Sequence, residues 1–212
     1  MPSETGRIFI VDDDEAIRDS LRVLLESVGF TGVSTFSSAR DFLERATPEA
    51  GDCLLVDVHM PEMGGLELQA ELAARGSGVA VIVMTGHGEV PMAVRAMKAG
   101  AIDFLEKPIA EALLLDCIRR ALALGAARSR EADEMNETDR RLKSLTPRER
   151  EVLEGMVEGR PNKLIAHDLG ISPRTVEIHR ARVMEKMEAR SLSALVRMAL
   201  AAGIGPGGDM GR

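Results

Sequence analysis

The chain has 212 residues, 45% of them hydrophobic, and a formal net charge of −7, the size and composition of one large or two small globular domains. The charge is uneven: residues 1–139 hold 13 Lys/Arg against 25 Asp/Glu, and residues 140–202 hold 13 against 8, so an acidic module precedes one able to meet polyanions. No apolar run reaches membrane-spanning length, MPSETGR is no secretory leader, and Cys53 and Cys117 lie in apolar contexts without metal spacing; a cytoplasmic protein with no membrane partner is expected.

Arg7–Val11 (RIFIV) reads as a buried strand that runs into Asp12-Asp13-Asp14-Glu15. Ile17, Leu21, Leu24, Leu25 and Val28 follow with helical period until Gly29. Gly32–Phe36 is a weaker strand, and Ser38–Ala46 a helix with Phe42 and Leu43 inward. Cys53–Val56 is a short unbroken apolar run, the pattern of a strand buried on both faces, and it ends at Asp57. Gly64-Gly65 opens a third helix. Val79–Met84 is the most apolar strand, with Thr85-Gly86-His87-Gly88 behind it. A helix over Val90–Ala99, a strand over Ile102–Leu105 ending in Lys107-Pro108, and a helix from Glu111 complete the alternation. Strands alternating with helices predict an α/β domain: a five-stranded, doubly wound parallel sheet over residues 7–124.

No proline occurs between Pro108 and Pro147, so the fifth helix either runs on through a charged linker over 125–143 or gives way to a flexible tether; the sequence leaves both open. Residues 144–203 read as an all-α module of four helices. Thr146-Pro147-Arg148-Glu149 is a capping box, Gly159 and Gly170 are stops, and Ser172-Pro173 caps a helix running to about Ala189. Ser191 begins the last helix, and the glycine-rich tail, 204–212, is expected to be disordered.

In the doubly wound order 2-1-3-4-5, ligands bind where strand order reverses, between the first and third strands. That edge receives Asp12 and Asp13 from the first strand and Asp57 from the third, with Thr85 and Lys107 delivered by the fourth and fifth. Close carboxylates need a cation, and an all-oxygen site with room for water suits Mg²⁺. Carboxylate, divalent cation, hydroxyl and ammonium are the parts phosphoryl transfer uses. Asp57 is then the nucleophile and phosphorylated residue, Asp12 and Asp13 hold the metal directly or through water, and Thr85 and Lys107 meet the phosphoryl oxygens. Singly, each signal has a plainer explanation, such as an N-cap or a turn. Four at one sheet edge do not.

VDDDE, LLVDVHMPEMGG, VMTGHG and GAIDFLEKP resemble the flavodoxin-like receiver domain of two-component response regulators. The resemblance implies an aspartyl phosphate on Asp57 taken from a sensor histidine kinase, and Mg²⁺ held by Asp13, Asp57 and the backbone carbonyl of His59. It implies that Thr85 turns toward the phosphoryl group, that Phe104 swings inward behind it, and that the Val90–Phe104 face is remodelled. A cis Lys107–Pro108 bond is implied as well. The stretch LTPREREVLEGMVEGRPNKLIAHDLGISPRTVEIHRARVMEKM resembles the LuxR-type helix-turn-helix, and the whole chain resembles transcription regulators of the FixJ/NarL type, nearest the FixJ branch through TGHGEVPMAVRAMKAGA and ISPRTVEIHRA. The partners so implied are the kinase, double-stranded promoter DNA, RNA polymerase and a second copy of the chain on phosphorylation, with oxygen-linked control of nitrogen-fixation or microaerobic genes.

In that module Ile165, Ala166, Leu169 and Ile171 are expected to pack on Val176, Val183 and Met187, which share one helix face. The opposite face offers Arg174, Glu177, Ile178, Ala181 and Arg182 to a major groove, with Lys163, Ser172, Thr175 and Arg180 placed for phosphates. Glu177 is repelled by phosphates unless it accepts from a cytosine amino group, and base reading is the expectation for it. His179 reads as a core-edge residue or a phosphate contact. Leu192, Leu195, Val196 and Leu200 stripe the last helix, either closing the module's core or pairing two copies. The rival functions are a Mg²⁺-dependent aspartyl-phosphate phosphatase or phosphotransferase, and a receiver whose helical tail binds protein or RNA.

Overall fold

A computed structural model describes residues 6–86 and 90–205. His87 and Gly88 of the TGHG segment, and the tail beyond Gly205, lie outside them. The described residues form two compact units, divided between Arg130 and Glu131.

The first unit alternates β1 (Ile8–Val11), α1 (Glu15–Ser27), β2 (Val33–Phe36), α2 (Ala39–Arg45), β3 (Cys53–Asp57), α3 (Gly65–Ala74), β4 (Ala80–Thr85), α4 (Val90–Lys98), β5 (Asp103–Glu106) and α5 (Glu111–Lys143). The sheet is parallel with order β2-β1-β3-β4-β5. Side chains alternate across each strand. Ile8, Ile10, Cys53, Leu55, Ile82 and Met84 face Leu25 of α1 and Leu114, Ile118 and Ala121 of α5. Phe9, Val11, Leu54, Val56, Val81 and Val83 face Phe42 of α2, Leu68 of α3 and Ala96 of α4. Both faces are covered, which is why these strands read as unbroken apolar runs. Seven of the ten strand bounds lie one residue later than the apolar runs suggest, so Thr85 belongs to β4 itself and Asp103 opens β5.

Local chemistry fixes the chain where it leaves the sheet. Asp14 caps α1, its carboxylate accepting from the Ala16 and Ile17 amides at 2.8 and 3.4 Å. Ser38 caps α2 through the Asp41 amide, 3.1 Å. α3 begins almost on top of β3: a Cβ on Gly65 would collide with the Asp57 carbonyl, and one on Gly64 would lie 2.6 Å from the Val58 carbonyl. The glycine pair therefore allows the close approach that holds Asp57 at the sheet edge.

α5 is a single helix through the stretch the sequence left open, and the second unit begins within it, at Glu131. Leu142 is buried there with Val152, Leu153 and Met156 of α6 (Pro147–Val157), Ile165 and Ala166 of α7 (Asn162–Leu169), Val176 and Val183 of α8 (Pro173–Lys186), and Leu195 and Ala199 of α9 (Leu192–Ala201). α8 stops at Lys186, short of the expected Ala189, because Glu188 takes a left-handed conformation, φ 49°, without a glycine to announce it.

Glu149 joins these helices. Its carboxylate accepts from the Thr146 amide at 2.9 Å and pairs with Lys186 at 2.7 Å, and only 2% of the residue is exposed. The Lys186 ammonium, and after it the Thr146 amide, hold the carboxyl down to about 2 against the opposing effect of burial. Because the folded carboxyl titrates below its unfolded value of 4.5, its stabilisation is complete above that pH and is lost as pH falls toward about 2. Glu149→Ala is expected to destabilise the second unit by about 2 kcal/mol at neutral pH, with the difference from the parent shrinking below pH 4.5. Hydrogen exchange of α6 and α8 amides across that range checks it; a constant difference contradicts the ionic origin.

Candidate functional site

Val11 of β1 pairs with Val56 of β3, so the next residues, Asp12 and Asp57, emerge side by side at the carboxyl edge. Asp12 is 1% and Asp57 6% exposed. Lys107 comes from beyond β5, its backbone held by donation from its amide to the Thr85 carbonyl, 2.7 Å. Its ammonium reaches across β4 and donates to Asp12 Oδ2 and to Asp57 Oδ1, each at 2.6 Å. The Lys107–Pro108 bond is cis. The remaining carboxylate oxygens face the backbone: Asp57 Oδ2 accepts from the His59 amide at 2.6 Å and Asp12 Oδ1 from the Asp14 amide at 3.0 Å. Arg18 Nη1 donates to the Asp12 carbonyl, 2.7 Å, which ties α1 to the same corner.

Burial pushes the Asp12 carboxyl above its usual range, and the hydrogen bond from Lys107 opposes the shift. The same burial disfavours the Lys107 ammonium, but hydrogen bonds to Asp12 and Asp57 outweigh it and hold Lys107 above its usual value. Asp13 is exposed beside them, at the mouth of a crevice of about 690 Å³ also lined by Asp14, Ile17, His59, Gly86 and Met92. Three carboxylates around one ammonium leave an anionic, oxygen-rich site, which fits a hard divalent cation such as Mg²⁺. Among the described residues no group of three or more His, Cys, Asp or Glu side chains forms a metal cage by itself. A cation here would keep part of its shell as water, as Mg²⁺ does.

Thr85 is the last residue of β4 and fully buried, on the face carrying Val81 and Val83. Phe104 pairs with Val83 in register and packs half-buried on the same face. The two residues read as a switch therefore share the side of the sheet that α4 covers.

In the second unit, α7 ends at Gly170 (φ 65°) and α8 starts after Ser172, the geometry of a helix-turn-helix. Val176, Val183 and Met187 are buried, as are Ile165 and Ala166 opposite. Arg174, Glu177, Ile178, Ala181 and Arg182 are exposed on α8, and Lys163 is exposed on α7. Ser172 and Thr175 also serve the helix start: the Ser172 hydroxyl accepts from the Thr175 amide at 3.1 Å and meets the Thr175 hydroxyl at 2.8 Å. Arg180 is half-buried, and so is His179, whose Nδ1 is buried without a hydrogen-bond partner among the described residues. Leu195 closes the core, whereas Leu192 and Leu200 stay exposed. Sequence reasoning passed over Arg18 and the Glu149–Lys186 pair, and it weighed an N-cap in the acidic run before α1 only as the plainer alternative, a role that Asp14 fills. Only Asp14 carried a signal, its place before a helical run.

Residues 8–119 match the family model of the response regulator receiver domain, and residues 143–199 that of bacterial regulatory proteins of the luxR family. The chain is 52% identical to the transcriptional regulatory protein FixJ of Azorhizobium caulinodans over 97% of each chain. It is 49% identical to FixJ of Rhizobium meliloti over 94% of this chain and 97% of that one. Among solved structures, the response regulator StyR superposes with a TM-score of 0.85 at 45% identity, over 92% of this chain and 98% of that one.

Removing the shared ammonium exposes the repulsion it balances. In Lys107→Met, the Asp12 carboxyl is expected to titrate higher than in the parent, because the hydrogen bond that opposes its burial is gone, read by carboxylate-selective NMR. An unchanged midpoint contradicts the electrostatic role given to Lys107.

Proposed function

The chain belongs to the response regulators, a receiver domain joined to a LuxR-type DNA-binding domain in a phosphorylation-dependent transcriptional regulator, and on that premise we propose that Asp57 is its phosphoacceptor. The ammonium of Lys107 shared between Asp12 and Asp57 is the observation that carries the reading. An Asp57 carboxylate oxygen attacks the phosphorus of a phosphohistidine on a sensor kinase. The new O–P bond forms as the P–N bond breaks, the electron pair leaves on the imidazole nitrogen, and that nitrogen takes up a proton. Small phosphodonors serve the same attack, and water later hydrolyses the acyl phosphate, so turnover is limited to self-phosphorylation and its reversal.

Asp12, Asp13, Asp57 and the His59 carbonyl are the oxygens that would hold Mg²⁺, which supplies charge neutralisation on the transferring group. Lys107 exchanges its bond to Asp57 for one to a phosphoryl oxygen, remaining anchored by Asp12. The Thr85 hydroxyl turns toward the new charge and Phe104 follows it inward, biasing the population of the α4 face. Val90, Val94 and Met97 are exposed on α4, at 77%, 45% and 48%, and supply an apolar surface for receiver pairing in the phosphorylated form.

Pairing brings two helix-turn-helix units to a two-fold site on duplex DNA, where Arg174, Glu177, Ile178, Ala181 and Arg182 read base edges and Lys163, Ser172, Thr175 and Arg180 meet phosphates. RNA polymerase is the partner that such a bound dimer serves. The family match favours this reading over an aspartyl-phosphate phosphatase or phosphotransferase.

With acetyl phosphate and Mg²⁺, the parent is expected to bind a duplex enriched from a random-sequence pool at least about tenfold more tightly than untreated protein, a gain of about 1.4 kcal/mol. Asp57→Asn is expected to show no such gain in the same gel-shift titration. An equal gain in the asparagine variant contradicts the assignment.

A further inference from the structure

The end of α8 is tied down through two cations, its own last residue Lys186 and Arg141 of α5. Lys186 Nζ donates to the Glu149 carboxylate at 2.7 Å and to the Ser144 carbonyl at 3.1 Å. Arg141, near the end of α5, directs its guanidinium at the two residues that follow α8. Nη1 donates to the Met187 carbonyl at 3.2 Å, Nη2 to the Glu188 carboxylate at 2.8 Å, and Nε to Glu137 on its own helix at 3.0 Å.

Both residues that Arg141 grips are unusual. Met187 is the C-cap, where helix carbonyls lack intrahelical partners. Glu188 stands at φ 49°, the position and conformation that glycine ordinarily supplies, so its side chain must be held by its surroundings. Arg141 is itself well anchored, with Thr138 and Leu142 of α5 only 9% and 6% exposed. It precedes residue 143, where the match to the luxR family begins, so the family pattern does not carry it.

We propose that Arg141 is a positioning residue for DNA reading, fixing the pitch of α8 in the major groove by clamping Met187 and Glu188 at its far end. The proposal rests on α8 being the helix that reads DNA. The start of the helix is fixed separately, by the Ser172 cap and by Arg148 Nη2 donating to the Leu169 carbonyl at 3.1 Å. Of the base-reading residues Arg182 lies farthest along α8, about 14 Å from the fixed start, so a tilt of about 5° about that start moves its backbone by just over 1 Å. Base-edge hydrogen bonds do not survive such a shift. Long Lys and Arg side chains follow a phosphate through it, and so the loss falls on sequence discrimination.

The test uses the full chain phosphorylated with acetyl phosphate, a duplex enriched from a random-sequence pool by the parent, and unselected duplex as competitor. Arg141→Ala is expected to lower the affinity ratio of selected to unselected duplex about tenfold, leaving the slope of log K against log salt within about one ion of the parent's. Arg141→Lys keeps the charge but lacks the fork, and is expected to lose the ratio too. It remains informative if the alanine variant fails to fold. In an Arg141→Ala, Glu188→Gly chain, glycine adopts the left-handed turn unaided, and part of the ratio is expected to return. A folded Arg141→Ala or Arg141→Lys chain that keeps the ratio, or that loses both affinities equally, overturns the proposal alone. A phosphorylated parent that enriches no duplex overturns the DNA reading and this proposal with it.

Discussion

Two carboxylates buried side by side repel, and one must lose its charge unless a cation stands between them. Here Lys107 is that cation, 2.6 Å from each of Asp12 and Asp57. The strand order makes the pair unavoidable: β1 and β3 are neighbours and parallel, so whatever follows each strand meets at the same edge. The fold then has to bring an ammonium from beyond β5, which it does by pinning the Lys107 backbone to Thr85. A phosphoryl group on Asp57, as proposed, would replace one of these contacts of Lys107, whose backbone is bonded to the end of β4.

The rest of the first unit keeps that edge rigid. Gly64 and Gly65 bring α3 against the exit of β3, Asp14 fixes the start of α1, and Arg18 holds the Asp12 backbone. At the opposite edge Arg7 and Asp52 form a partly buried pair at 2.7 Å that sets where β3 begins. The second unit meets a different demand, presenting one helix face at a fixed angle. It does so with a small core around Val152, Leu153, Val183 and Leu195, and with charged groups at the ends of α8.

The parallel sheet was legible because strands covered on both faces must be apolar throughout, and acids ending such strands have few structural uses. The helix-turn-helix was legible from its caps and from the spacing of Val176, Val183 and Met187. Features without a residue-type signature were not legible. The end of α8 was hidden because Glu188 occupies a turn that glycine usually marks. The membership of Leu142 in the second core was masked by a charged helix around it, in which apolar positions are sparse. Arg141 looks like any solvated arginine until the Met187 carbonyl and the Glu188 carboxylate are placed beside it. Strand ends drifted by one residue because apolarity marks burial, while pairing continues into Thr85 and Glu106.

The proposed function depends on one side chain, the Asp57 carboxylate, becoming the acyl phosphate. Borohydride reduction of the phosphorylated chain converts an aspartyl phosphate to homoserine, and peptide mass spectrometry then locates it. Homoserine at position 57, with Asp12 and Asp13 unchanged, is the result this structure predicts. Homoserine at 12 or 13, or at an acid outside the crevice, would contradict it.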